Sequence, residues 1–162
     1  MSSTRRIALL ATGLLVGLTG CDARGQQRAA DAGPVVQRDE PRSASKSDPM
    51  KLTIGTKTFK ATLDDNEATA KLRAMLPLTL DMAELNGNEK HARLPKPLPT
   101  DATDPGTIRN GDLMLWGSDT LVVFYKGFKT SYSYTRLGRI DYPEGLAAAV
   151  GSGSVKVTFE PE

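Results

Sequence analysis

The chain has 162 residues and a formal net charge of +2, from 21 basic and 19 acidic residues. This length predicts one folded domain, and the absence of a basic stripe with interleaved aromatic residues argues against a nucleic-acid partner. Cys21 is the only cysteine, so no disulfide within the chain can stabilise the fold. A domain of about 110 residues can bury a sufficient apolar core without one.

The first twenty residues have the layout of a secretory signal peptide. Arg5 and Arg6 form a short positive segment, residues 7–17 form an apolar stretch, and small residues lead to Cys21. The apolar stretch is about eleven residues long, which is too short for the roughly 20 residues that span a bilayer. Removal of residues 1–20 would take both arginines with it and leave a formally neutral chain.

The run Leu18-Thr19-Gly20-Cys21 resembles the lipobox of bacterial lipoproteins. The resemblance implies cleavage before Cys21 and lipidation of its thiol, and two or three acyl chains would anchor the protein stably to a membrane. It implies a place in the bacterial cell envelope, on the periplasmic or extracytoplasmic side. Asp22 resembles the inner-membrane retention signal of enteric bacteria, which favours the inner membrane over the outer one. The alternatives are an ordinary cleaved signal and a twin-arginine signal, although Ala8 stands where the latter usually has an aromatic residue.

Cys21 and the residues up to 49 predict a disordered linker. Residues 22–49 are rich in Ala, Arg, Asp, Ser, Gln and Pro, and Val35-Val36 is their only apolar cluster. Such a segment buries too little apolar surface to offset the entropy lost on ordering. As a coil it would span roughly 30 Å, so we expect it to hold the following domain away from the membrane.

Residues 50–162 form the predicted domain. Asp64 or Asp65 can cap a helix that runs to Met75, before Pro77. A second helical turn is predicted over residues 144–150. Asn86-Gly87 predicts a tight turn, and residues 94–106, with four prolines, predict an irregular loop. Strands are predicted at residues 51–54, 58–63, 78–82, 112–116, 120–125, 137–140 and 154–160.

The predicted fold class is mostly β with minor α. About seven or eight short strands and two short helices indicate a small, closed and largely antiparallel β-barrel. Trp116 and Phe124 lie in strand-like runs, so we expect both of them in the core.

Candidate ligand-binding residues fall into two segments. Asn86, Glu89 and Lys90 follow a strand and a turn and can point into a cleft; the alternative is a solvated loop in which Glu89 and Lys90 pair weakly. Residues 128–136 contain Phe128, Tyr132, Tyr134 and Arg136. Tyrosines offer apolar faces with polar tips, and an arginine offers a rigid fork for a carbonyl or carboxylate. The alternative here is an exposed β segment whose tyrosines pack on the barrel.

The sequence contains few residues that could bind a metal ion or act as a catalytic nucleophile. His91 is the only histidine, so no metal cluster of recognisable spacing is present, and no G-x-S-x-G motif marks a nucleophile. We therefore expect no metal and no cofactor, assign no catalytic residue, and interpret His91 as a surface or loop residue.

Three segments of the predicted domain resemble the bacterial cyclophilin-like domain family. They are residues 76–90 (LPLTLDMAELNGNEK), residues 106–141 (GTIRNGDLMLWGSDTLVVFYKGFKTSYSYTRLGRID) and residues 151–160 (GSGSVKVTFE). The resemblance implies a closed β-barrel with flanking helices, as in the cyclophilin prolyl isomerases. The F-H-R and Q-G-G-D signatures of those isomerases are absent. Arg136 and Phe128 can play analogous parts, but no motif assigns them that role.

Two functions are compatible with these features. The favoured one is a membrane-tethered cyclophilin-like binding module for a small ligand or peptide, without catalysis. The alternative is a peptidyl-prolyl cis-trans isomerase of altered or weak activity. Isomerisation needs no metal or proton donor, only a pocket and a donor that binds the transition state better than the ground state.

Overall fold

The structure, a computed structural model, describes residues 49–162, and the predicted signal peptide, Cys21 and the rest of the linker lie outside them. These residues form ten strands and two helices. In chain order the elements are β1 (Pro49–Ile54), β2 (Lys57–Leu63), α1 (Glu67–Arg73), β3 (Leu78–Leu85), β4 (Glu89–Arg93), β5 (Thr107–Ile108), β6 (Asp112–Trp116), β7 (Thr120–Phe124), β8 (Phe128–Lys129), β9 (Thr135–Ile140), α2 (Leu146–Val150) and β10 (Val155–Pro161).

Eight of the strands close into an antiparallel barrel, which confirms the predicted fold class. Their order around the barrel is β1-β10-β3-β4-β7-β6-β9-β2, and β2 pairs again with β1. Strands β5 and β8 pair only with each other, as a separate two-stranded ribbon. Closure leaves the barrel without exposed strand edges, so a stable fold is compatible with its modest size.

The barrel wall separates two apolar clusters. On β7, Leu121 and Val123 belong to the main core, whereas Val122 and Phe124 belong to a smaller cluster on the opposite face of the strand. The smaller cluster, here called the outer cluster, consists of Ile108, Met114, Val122, Phe124 and Tyr134, with Phe128 packed against it. Burial of both faces explains why β7 is an almost continuous apolar run rather than an alternating one.

Two local predictions need correction. Trp116 is not in the core: its side chain is 56% exposed, whereas Phe124 is fully buried as expected. Helix α1 begins at Glu67, later than predicted, because Asn66 is the cap. The Asn66 side chain accepts a hydrogen bond from the Thr69 amide at 2.9 Å, and the Thr69 hydroxyl accepts one from the Asn66 amide at 3.2 Å. This reciprocal pair satisfies two amides that the first turn of a helix leaves free.

Strand β4 was not predicted, because Glu89–Arg93 carries three cationic or titratable side chains after an acidic one and has no apolar alternation. The segment is nevertheless a strand, because its residues pair with β3 on one side and with β7 on the other. Side chains of successive residues on a strand point to opposite faces. Glu89 and His91 therefore share one face of the wall, and Lys90 and Ala92 share the other.

Candidate functional site

A groove of about 650 Å³ runs over the outer face of β3, β4 and β7. Its floor and sides are formed by alternate residues of these three neighbouring strands, as the two-residue period of a strand requires. The residues of these strands that line it are Asp81, Ala83, Leu85, Glu89, His91, Ala92, Arg93, Thr120 and Val122.

Aromatic side chains form the rest of the lining, together with Asn86 from the turn between β3 and β4. The aromatic residues are Trp116 from β6 and Phe128, Tyr132 and Tyr134 from the segment that follows β7. Tyr134 and Phe128 pack against the buried ring of Phe124, with ring centroids 5.6 and 5.7 Å apart respectively. Trp116 and Tyr132 are instead largely exposed, at 56% and 68%. The outer cluster thus supplies a packed base, and two aromatic rings remain open to solvent beside it.

The turn between β3 and β4 positions the acidic end of the groove. Asn86 and Gly87 have φ values of 56° and 67°, and Asn and Gly tolerate this left-handed conformation best. The turn sets Leu85 opposite Glu89 and Glu84 opposite Lys90. Asn86 and Glu89 therefore reach the groove, while Glu84 and Lys90 lie on the other face of the wall.

Glu89 is a largely buried residue whose carboxyl group has no protein partner among the described residues. Its residue is 7% exposed, and within residues 49–162 its side chain makes no hydrogen bond and no ion pair. Burial raises the pKa of Glu89 above its usual value, and the negative charge of Glu84 raises it further. A ligand that brings a positive charge or a hydrogen-bond donor would stabilise the ionised form of such a carboxyl.

Lys90, by contrast, is buried with all three of its donors satisfied. Its ammonium donates to a carboxylate oxygen of Glu84, to the Gly151 carbonyl at 2.9 Å and to the Gly153 carbonyl at 2.6 Å. The Tyr125 hydroxyl also donates to Glu84, at 2.7 Å. Lys90 is 0% exposed and does not line the groove.

The pKa values of this network follow from its contacts. Burial acts to raise the pKa of Glu84, but the hydrogen bonds from Lys90 and Tyr125 outweigh it and hold the pKa below its usual value. Burial, together with the hydrogen bond to Glu84, raises the pKa of Tyr125 to about 12. The network therefore holds one ionised carboxylate next to one ammonium and a neutral phenol.

Arg136 also lies outside the groove. Its Nε is 3.0 Å from Asp64 Oδ2, and its Nη2 is 3.9 Å from the buried Asp112. It lines a smaller pocket of about 230 Å³, on the other side of Tyr134.

Five of the seven predicted ligand-binding residues thus line one groove: Asn86, Glu89, Phe128, Tyr132 and Tyr134. Their binding role stays a prediction. Lys90 and Arg136 are held elsewhere by ion pairs. Sequence reasoning missed Asp81, His91, Arg93 and Trp116. If a strand had been predicted from Glu89 onwards, its two-residue period would have placed His91 and Arg93 on the same face as Glu89. The charged sequence of this segment, however, does not predict a strand.

The residues described contain no group of three His, Cys, Asp or Glu side chains that could hold a metal ion. Between residues 49 and 162, neither helix has the length and apolar character needed to cross a membrane.

Comparisons with known proteins agree with this architecture. The model of a family described as the cyclophilin-like family matches residues 52–160. The solution structure of a hypothetical protein from Archaeoglobus fulgidus is similar with a TM-score of 0.51 and 14% sequence identity, over 72% of this chain and 95% of that one. At that identity the similarity concerns the fold alone. A search of curated proteins returns no match to this chain.

Replacing Lys90 with methionine should lower the free energy of unfolding by about 3 kcal/mol, because it removes the cation that pairs with Glu84 and that donates to two carbonyl groups. Lys51→Met is the matched control, since Lys51 pairs with Glu160 on the surface and its loss should change stability by less than about 1 kcal/mol. Urea denaturation of both variants measures the difference. Equal effects would show that the buried network does not stabilise the barrel.

Replacing Glu89 with glutamine should raise the free energy of unfolding at pH 7. The pKa of Glu89 is higher in the folded protein than its ordinary 4.5 in the unfolded chain. At a pH between the unfolded and the folded pKa, the folded protein therefore binds more protons than the unfolded chain. Its stability therefore falls as the pH rises through this window, and the variant escapes that loss. The advantage should vanish below pH 4.5. Urea denaturation of both proteins from about pH 3 to 8, the range in which carboxyl groups titrate, measures this difference. Glu144→Gln, at an exposed acid, is the control. A stability difference that does not change with pH would show that the pKa of Glu89 is not raised in the folded protein.

Proposed function

Because this chain belongs to the cyclophilin-like family, we propose that its barrel is a binding module, tethered to a membrane through Cys21, that holds a small ligand or a peptide in the groove over β3, β4 and β7. The tether rests on the lipobox-like sequence before Cys21. The binding role rests on the groove.

The observation that carries the binding role is the combination of exposed aromatic rings and a buried, unpartnered carboxyl in one groove. Trp116, Tyr132 and Leu85 are three of the four large apolar or aromatic side chains exposed in residues 49–162, and all three line it. Exposed apolar surface gathered at one place marks interaction sites. A volume of about 650 Å³ also falls within the range of small-molecule sites.

The polar groups of the groove support binding rather than covalent catalysis. In the described part of the chain, Asp81, Glu89 and His91 make no hydrogen bond with one another or with a hydroxyl group, so no nucleophile is paired with a base. Such groups can still orient a ligand and select its charge.

Prolyl isomerisation is the second candidate, and one observation favours it. Arg93 lines the same groove as the apolar side chains, and an arginine beside an apolar pocket can stabilise a twisted amide. Arg136, the arginine indicated by the sequence, lies outside the groove and pairs with Asp64. Catalysed cis-trans exchange of X-Pro peptides that disappears in Arg93→Ala would favour this function over passive binding.

Tyr132→Ala should weaken binding of groove ligands by about tenfold or more, because it removes an aromatic wall. The matched control is Tyr142→Ala, which removes another largely exposed tyrosine that does not line the groove. Trp116, the only tryptophan, lines the groove, so its fluorescence reports binding from a panel of peptides and metabolites. Equal losses in both variants, or no panel member that perturbs Trp116, would contradict the proposal.

The tether predicts that labelled palmitate is incorporated into the protein in cells and is lost in Cys21→Ala. The wild-type protein should fractionate with membranes, whereas the variant should be released from them, because the acyl chains supply the anchoring energy. Palmitate incorporation that survives in Cys21→Ala would refute lipidation at this residue without bearing on the groove.

A further inference from the structure

Two acidic side chains line the groove. Within residues 49–162 neither Glu89 nor Asp81 forms an ion pair, although Lys156 lies opposite Asp81 on the neighbouring strand. The charge of Arg93, the cationic side chain in the lining, is balanced by Asp119, whose Oδ2 lies 3.4 Å from the arginine Nε. A ligand that fits this groove electrostatically is therefore positively charged.

Glu89 is the more informative of the two acids because it is buried. The same hairpin holds a second, partly buried carboxyl, Glu84, on the opposite face and supplies it with an ammonium and a phenol. Buried charges in proteins are normally paired in this way. Glu89 has no such pair and faces open space, so the complementary charge is missing from residues 49–162 themselves.

The aromatic lining suits the same kind of ligand. Trp116, Phe128, Tyr132 and Tyr134 line the groove with Glu89, and aromatic faces attract organic cations. Burial and the negative charge of Glu89 raise the pKa of Tyr134, which indicates that this ring lies within electrostatic reach of the carboxyl. The exposed rings of Trp116 and Tyr132 provide apolar surface for the uncharged part of a ligand.

We propose that the groove binds a primary ammonium group carried on an apolar stem, with the ammonium donating to the Glu89 carboxylate and the stem lying against Trp116 and Tyr132. The ligand class comprises organic amines and lysine side chains of peptides, which share this chemistry. The inference rests on the proposed binding function and adds the charge and shape of what is bound.

The test compares three probes that share one ring and differ in charge: benzylamine, benzyl alcohol and benzoate. Titration of the full-length protein, followed by Trp116 fluorescence, should show benzylamine binding at least about tenfold more tightly than benzyl alcohol, and benzoate most weakly. Glu89→Gln should abolish the preference for benzylamine over benzyl alcohol, because it removes the charge that selects the ammonium. Glu144→Gln, which alters an exposed acid outside the groove, should behave as wild type.

A second pair of probes distinguishes the two sources of the ammonium. A capped Gly-Lys-Gly peptide that binds more tightly than its Gly-Gln-Gly counterpart, with the difference lost in Glu89→Gln, identifies a lysine side chain. A preference for benzylamine without one for the lysine peptide identifies a free amine. Either result supports the proposal.

The results distinguish a failure of the ammonium assignment from a failure of the proposed binding function. Benzyl alcohol or benzoate binding as tightly as benzylamine, or a benzylamine preference that persists in Glu89→Gln, overturns the ammonium assignment and leaves the groove as a binding site. Absence of binding by every probe overturns the ammonium assignment, and absence of binding by the wider peptide and metabolite panel as well overturns the binding function itself.

Discussion

The buried ammonium of Lys90 determines how the β3–β4 hairpin is placed, and the groove depends on that placement. Lys90 can be buried only where Glu84, Gly151 and Gly153 offer it three acceptors. A slip of one residue in the strand would turn Lys90 outwards and Glu89 inwards, towards the same carbonyl groups. Both consequences are unfavourable, because a carboxylate would face acceptors and the ammonium would lose its pair. The network therefore specifies the register, and the register places Glu89 in the groove.

The barrel wall is used on both faces. Its inner face holds the main core, and its outer face along β6 and β7 is covered by the outer cluster beneath the β5–β8 ribbon. The groove is the part of the outer face that this cover leaves open. Rigid strands on one side and packed aromatic rings on the other give it a preformed shape, which reduces the entropy lost when a ligand binds.

Electrostatic compensation differs sharply between the two faces of one hairpin. Glu84 is ionised and paired, whereas Glu89 is buried without a partner. An unpaired buried carboxyl lowers the stability of the unliganded protein. Proteins commonly carry such local costs at functional sites, where a ligand restores the missing interaction. The position of Glu89, between exposed aromatic rings and the β3–β4 turn, fits this pattern.

Local features of the sequence were sufficient for most of the fold. Alternating segments predicted most of the barrel strands, Asn86-Gly87 predicted the turn before β4, and the proline-rich stretch predicted an irregular loop. These features depend on neighbouring residues alone, through backbone preferences and the two-residue period of a strand. Strand β4 was not predicted because it has charged side chains on both faces and so lacks apolar alternation. Its hydrogen-bonded pairing with β3 and β7 makes it a strand in spite of this sequence.

The sequence by itself therefore determined a closed, mostly β domain and a set of candidate binding residues, because strand periodicity and turn chemistry are local properties. Only the tertiary structure decided which candidates share a surface. In the structure Glu89 lines one groove with Tyr132, Tyr134 and Phe128, and Trp116 and His91 also line it. Lys90 and Arg136 lie outside the groove, in ion pairs with Glu84 and Asp64 respectively. Partners for a charge come from distant segments, and closure of the barrel, rather than local sequence, brings those segments together.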